Sequence, residues 1–222
     1  MLSNKKTLSA IIASTVPDID NLKFTLISMH QEVTDFDGEI IIVVDGGLDQ
    51  AVQVENLREW IVAQGIQTHI AILSKEKSGL TKSLNFGIRH AQTDFIFRID
   101  SGDIWLKGRI KKQLALLQAG YDLVATTSMS TETTSHTELL QELKFRNHII
   151  HSGAAFKKSF YDEHYEVCQD YALWVRFMQE GKSILLHSEP VCYRINTDNG
   201  ISFQKTFLQL QNSFRIRKDL NL

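Results

Sequence analysis

Two carboxylates stand three residues apart in the stretch Arg98-Ile99-Asp100-Ser101-Gly102-Asp103-Ile104-Trp105, directly after an apolar run. Carboxylates converging at a strand end offer Mg2+ or Mn2+ a hard-oxygen site, and such an ion completes its shell with substrate phosphates. It would bridge a diphosphate and take up charge on the leaving group. Asp103 has a second option, since as the N-cap of a following helix its side chain would accept backbone N–H groups. Val44-Asp45-Gly46-Gly47 sets another acid at the tip of an apolar run, with two glycines that let the backbone pass close to a ligand. The alternative there is an ordinary strand-to-helix turn capped by Asp49. Between these acids, Gly79 opens a helical stretch with Lys82 in its first turn, the ingredients of an anion site at a helix N-terminus. Asp170, in Gln169-Asp170-Tyr171, precedes an apolar helix and is either its cap or a general base that takes the proton of an acceptor hydroxyl.

These side chains need elements to hold them, and the first 125 or so residues alternate short apolar runs with helix-periodic segments, the pattern of an α/β fold around a mostly parallel sheet. The runs expected as strands are Leu8 to Ala13, Glu39 to Asp45, Thr68 to Leu73, Asp94 to Asp100 and Asp122 to Thr126. Helices are expected near 21–31, around Val52 to Ile61, over Leu80 to Ala91 and over Leu106 to Gln118. Residues 128–142 are rich in Ser, Thr and Glu and read as an exposed excursion or mobile loop. Thereafter come a run at Gly153 to Phe156, a helix from Tyr171 to Glu180 closed by Gly181, a strand at Ser183 to His187 and a basic helical tail over 201–219. One domain is expected over 1–222, with a binding half at 1–127, a second half at 143–200 and a C-terminal helix at 201–222. In such sheets ligands bind beyond the carboxyl ends of the strands, where Asp45 and Asp100 fall.

Composition narrows the function. The 222 residues are 43% hydrophobic and 23% charged, ordinary for a globular domain, and 24 Lys and Arg against 26 Asp and Glu leave a net charge of −2. Nothing in that balance advertises nucleic acid as a partner. Cys168 and Cys192 lack metal-type spacing and suit a reducing cytoplasm. No stretch has membrane-span length, so the chain is expected to be soluble and cytoplasmic. Its tail (Lys205, Phe207, Leu210, Phe214, Arg215, Arg217, Lys218) either packs on the domain or rests on a membrane as a peripheral contact. The glycine spacing of a Walker A loop is missing, since no glycine directly precedes Lys77-Ser78 or Lys82-Ser83, and no GxGxxG follows the first strand.

In order, these segments resemble the family 2 glycosyltransferases, inverting enzymes with the GT-A fold. The most specific stretches are GLTKSLNFGIRHAQTDFIFRIDSGDIWLKGRIKKQLALL, then HSGAAFKKS, CQDYALWVRFMQEGK and HSEPVCYRI. The resemblance implies a Rossmann-like, three-layer α/β/α nucleotide-diphospho-sugar transferase with a mostly parallel mixed sheet. It implies that Asp45 recognises the nucleotide base, that Ala13 and Ser14 line the same pocket, and that Asp100 reaches the ribose and metal region. Arg98, Ser101, Gly79 and Lys82 join the donor site, His151 lies near acceptor or diphosphate, and Asp170 is the base. A UDP-sugar donor, a glycan or lipid-linked glycan acceptor and a place in lipopolysaccharide or capsule biosynthesis follow from the same resemblance. Three positions depart from the family pattern: Gly102 stands where an acid is usual, leaving Asp103 for Mg2+ or Mn2+; Gln169 replaces Glu; Asn196 replaces a His. A non-catalytic nucleotide-sugar-binding protein of the same fold, and a nucleotidyltransferase, are the competing readings.

Overall fold

The computed structural model of the chain describes residues 6–14, 19–46, 51–132, 134–193 and 206–219. Gly47, Asp49, Asn196 and Lys205 lie outside them. The elements in order are β1 (Ser9–Ser14), α1 (Ile19–Asp35), β2 (Glu39–Asp45), α2 (Ala51–Ala63), β3 (His69–Lys75), α3 (Leu80–His90), β4 (Phe95–Arg98), β5 (Ile104–Trp105), α4 (Arg109–Gln118), β6 (Leu123–Thr127), α5 (His136–Leu143), β7 (Ile149–Lys157), α6 (Gln169–Gln179), β8 (Ile184–His187), β9 (Cys192–Tyr193) and α7 (Thr206–Asp219).

Seven strands form one sheet in the order β3-β2-β1-β4-β7-β6-β8. All its neighbouring pairs are parallel except those of β7, which runs antiparallel to β4 and β6. Strand side chains alternate between faces, so each apolar run feeds two cores. Ile11, Ile41 and Val43 pack with Leu84 and Ile88 of α3, Leu139 of α5 and Trp174 of α6 on one face. Ala10, Ile12, Ile40, Ile42 and Val44 meet Leu22 and Leu26 of α1, Leu57 of α2 and Ile110 and Leu114 of α4 on the other. This is the expected three-layer α/β/α arrangement. It explains why β2 is buried at every position, a strand covered on both sides. Close helix packing needs Gly87, where a Cβ would lie 3.0 Å from Ile11 and 3.1 Å from Val43.

Two expectations are corrected. Residues 136–143 of the supposed loop form α5, because Ser135 and Glu138 close a capping box and Leu139 and Leu143, one turn apart, are buried. Two leucines at helical spacing outweigh a polar average composition. The helix expected from Leu106 begins at Arg109, because Gly108 adopts φ +90° in the cap position.

Candidate active site at the carboxyl edge of the sheet

β1 leads to β2 on one side while β4 pairs with it on the other, so the chain changes direction across the sheet beside the ends of β1 and β4. Ala13, half-buried, and Ser14, buried, close β1 at this edge, and Asp45 closes β2. β7 enters the same edge from the opposite direction. Its register with β4, Phe97 against Ala155, carries Ser152 to Asp100, whose backbone N–H donates to Ser152 Oγ at 2.9 Å.

Ser152 Oγ lies 3.0 Å from Asp100 Oδ2 and 2.5 Å from Asp103 Oδ2, so one hydroxyl gathers both carboxylates. Asp100 also pairs with the guanidinium of Arg98, which is buried and donates to Ile11 O at 3.0 Å and to Ile99 O. The Asp100 side chain is 40% exposed, whereas Asp103 is buried at 6%. Asp103 does not cap α4, since Gly108 holds that position. Helix α1 clamps the turn between them: Thr25 Oγ1 accepts from Gly102 N at 2.9 Å and donates to Asp103 O at 2.8 Å. Glu32 accepts from Trp105 Nε1 and from the N–H groups of Gly108 and Ile110. Gly102 has φ +93° and a Cβ there would meet Asn21 at 3.4 Å, so the departure from an acid coincides with a backbone only glycine adopts without strain. The Ser101 hydroxyl is buried with no hydrogen-bond partner among the described residues, a polar atom a ligand would satisfy.

Beneath this turn lies Arg109, fully buried, donating to Ser152 O, Arg98 O, Ala154 O and Gln113 Oε1 at 2.7–3.0 Å. Its guanidinium sits 4.2 Å from the Trp105 ring centroid. Burial is the main reason its pKa falls to about 10, so it stays charged at neutral pH.

Asp45 is anchored by the loop that follows β3. Its two oxygens accept the N–H groups of Ser78 and Gly79 at 2.8 and 2.9 Å, and Lys75 Nζ lies 3.3 Å away. The Gly79 N–H is therefore directed to Asp45, while Lys82 on the first turn of α3 is exposed. Asp170 does not cap α6, since the cap position belongs to Cys168 at φ +63°; it lies in the first turn and accepts from Asn147 Nδ2 at 2.8 Å. His151 Nε2 meets Tyr161 Oη at 2.8 Å, and its ring packs edge-on against Tyr161 and Trp174. Burial raises the Tyr161 phenol far above its ordinary range, with Arg98 opposing and Asp170 and Asp100 reinforcing. That phenol thus senses both acids and stays protonated, able to donate to His151. Among these residues Ser152, Thr25, Asn147, Tyr161 and Arg109 carried no signal in the sequence that set them apart from structural residues.

The donor set suits a hard cation: two carboxylates reach one point, and a serine hydroxyl, with one proton, cannot donate fully to both. No group of three His, Cys, Asp or Glu that could hold a metal occurs among the described residues.

Comparison with known proteins places this geometry. Residues 11–177 match the Glycosyl transferase family 2 profile. The amylovoran biosynthesis glycosyltransferase AmsE of Erwinia amylovora is 25% identical over 214 residues, 86% of this chain and 79% of its own. The O-antigen biosynthesis glycosyltransferase WbnJ of Escherichia coli is 27% identical over 191 residues, covering 76% of this chain and 71% of its own. Among solved structures, S. aureus TarS in complex with UDP-GlcNAc superposes with TM-score 0.70 at 13% identity, over 96% of this chain and 65% of that chain. The mannosyltransferase PcManGT of Pyrobaculum calidifontis, in complex with GDP-Man and Mn2+, gives TM-score 0.67 at 13% identity, over 96% of this chain and 65% of that chain. At such identities the solved structures establish the GT-A fold alone, and this chain spans less than two thirds of each. With three quarters of its length inside the family profile and a GT-A sheet carrying the acids at its carboxyl edge, the chain belongs to glycosyltransferase family 2.

Proposed function

We propose that the chain moves a sugar from a nucleoside diphosphate sugar, with UDP as the nucleotide, to a hydroxyl of a glycan acceptor with inversion, in the assembly of a bacterial surface polysaccharide. The observation that carries this is the convergence at one sheet edge of Asp100 and Asp103 on Ser152, beside the Ser101 hydroxyl that has no hydrogen-bond partner among the described residues. UDP-GlcNAc in TarS and the glycan pathways in the names of AmsE and WbnJ support donor and acceptor class.

Ala13, Ser14 and Asp45 line the nucleotide end, with Asp45 acting through the loop it ties down. Lys82 supplies positive charge, Asp100 holds the ribose and diphosphate region, and Arg98 fixes the orientation of Asp100. Asp100 and Asp103 would hold Mg2+ or Mn2+, which supplies charge neutralisation for the departing diphosphate. Asp170, oriented by Asn147, accepts the acceptor's proton as its oxygen forms the new bond to the anomeric carbon, while the anomeric C–O bond to the diphosphate breaks. His151, held by Tyr161, borders the diphosphate and acceptor. No described helix is long and apolar enough to cross a membrane. We place the protein on the cytoplasmic side, in peripheral contact with the inner membrane face, where lipid-linked glycans are extended.

Asp170→Asn is expected to lower kcat by about 10²–10⁴-fold with donor binding intact. Thermal shift with UDP is expected to raise Tm, more so with Mn2+. Undiminished transfer by the Asn variant would overturn the base, and UDP binding indifferent to Mn2+ and Mg2+ would overturn the metal.

A further inference from the structure

Helix α7 has two distinct faces. At about 100° per residue, Gln209, Asn212, Ser213 and Ile216 fall on one side of it. Ile216 is fully buried, Asn212 Nδ2 donates to Val167 O at 3.1 Å, and the Cys168 thiol lies 3.5 Å from Gln209 O and 3.6 Å from Ser213 Oγ. The helix is therefore docked on the domain through this side. Phe207, Leu210 and Phe214 cluster within about 60° of one another on the opposite side. They are 73%, 66% and 66% exposed. Phe145, 64% exposed, extends the same surface, because Arg217 donates to Phe145 O at 2.5 Å and also lies 5.9 Å from the Phe214 ring.

Three aromatic rings and a leucine facing water contribute nothing to the packing of a helix already anchored by its other side. Their flanks are basic: Lys144, Arg146, Arg215, Arg217 and Lys218 stand against Glu142 and Asp219, which Arg146 and Arg215 engage. An apolar aromatic stripe bordered by cations is complementary to an anionic lipid surface, where rings enter the headgroup boundary and cations meet lipid charge. We propose that the outer face of α7, with Phe145, seats the protein on an anionic bilayer. The inner face touches Cys168, two residues before Asp170, so the seating puts the bilayer on the side of α7 away from that contact. The seating does not rest on the transfer reading.

Flotation of the full chain with vesicles of phosphatidylcholine containing about one-third phosphatidylglycerol, and with pure phosphatidylcholine, tests it without any donor or acceptor. The protein is expected to float with the anionic vesicles and not the neutral ones. Replacement of Phe207, Leu210 and Phe214 by Ser, or of Arg217 and Lys218 by Glu, should lower partitioning by about tenfold or more. Phe207, Leu210, Phe214 and Lys218 are exposed, so circular dichroism and Tm should be unchanged in the Ser variant; Lys218→Glu alone keeps the charge test clear of the half-buried Arg217, and single Phe214→Ser gives a milder check. Equal flotation with neutral and anionic vesicles, or binding unaltered in both multiple variants, would overturn the proposal. Concentration-dependent self-association that the Ser variant abolishes, without vesicle binding, would overturn it in favour of an interface between copies.

Discussion

A serine hydroxyl carries one proton, and Ser152 meets two carboxylates while accepting the N–H of Asp100. It orders the turn that presents Asp100, and it does so from 52 residues further along the chain. Ser152→Ala removes that tie without opening a large cavity. We expect the Kd for nucleoside diphosphate to rise about tenfold, one lost hydrogen bond to charged groups. Isothermal titration checks this, and an unchanged Kd would mean the turn is held by Thr25 and Glu32 alone. The positions of Asp100 after β4 and of Asp170 in the first turn of α6 were legible in the sequence because each acid follows or opens a recognisable element. Ser152 and Asn147 were not, since nothing local to a serine or asparagine announces a partner dozens of residues away. Capping was a sound alternative for both Asp103 and Asp170, yet Gly108 and Cys168 occupy those caps.

Among the elements, β4, β7 and α4 depend on one another through Arg109. Its guanidinium donates to carbonyls of both strands and to Gln113 of its own helix, a buried fork that replaces water for four acceptors. Arg109→Leu would leave those acceptors buried and unpaired, so stability is expected to fall by on the order of 3 kcal/mol or more. Arg109→Lys should recover only part of this, because an ammonium cannot reproduce the planar fork. Urea denaturation measures both, and a loss below about 1 kcal/mol for the leucine variant would contradict the role. Element boundaries read from the sequence fell within a few residues wherever apolar periodicity was strong, with β2 matching at both ends. The miss at α5 came from averaging composition over a segment whose helix needs only a capping box and two leucines.

At the scale of the whole molecule, pH couples to stability through histidines kept neutral by burial. His148, hydrogen-bonded to Thr127 Oγ1 and Leu139 O, and His187 are both held below the ordinary histidine pKa of 6.5, desolvation being the main cause. The unfolded chain therefore binds more protons as pH falls below about 6.5. Stability is expected to be complete above that pH and to decline beneath it, with a shallower slope in His148→Gln. Urea midpoints from pH 7.5 to 5 would show this, and parallel curves for both proteins would exclude His148 as a source. The α/β class and the edge of the sheet that carries the site were legible from alternation and strand-end acids. The reversed direction of β7 was not, because a run such as Gly153 to Phe156 reads alike in either orientation.

That reversal has a consequence for synthesis on the ribosome. A nascent chain released as far as β6 already holds β1, β2 and β4 with their acids, yet has no strand to pair with the free side of β4. Only when β7 inserts between β4 and β6 does Ser152 reach Asp100 and do the Arg98 and Ala154 carbonyls meet Arg109 together. Closure of the sheet and maturation of the site are thus one late event of high contact order. An unfinished chain would hold the acids of the donor site without the serine that gathers them.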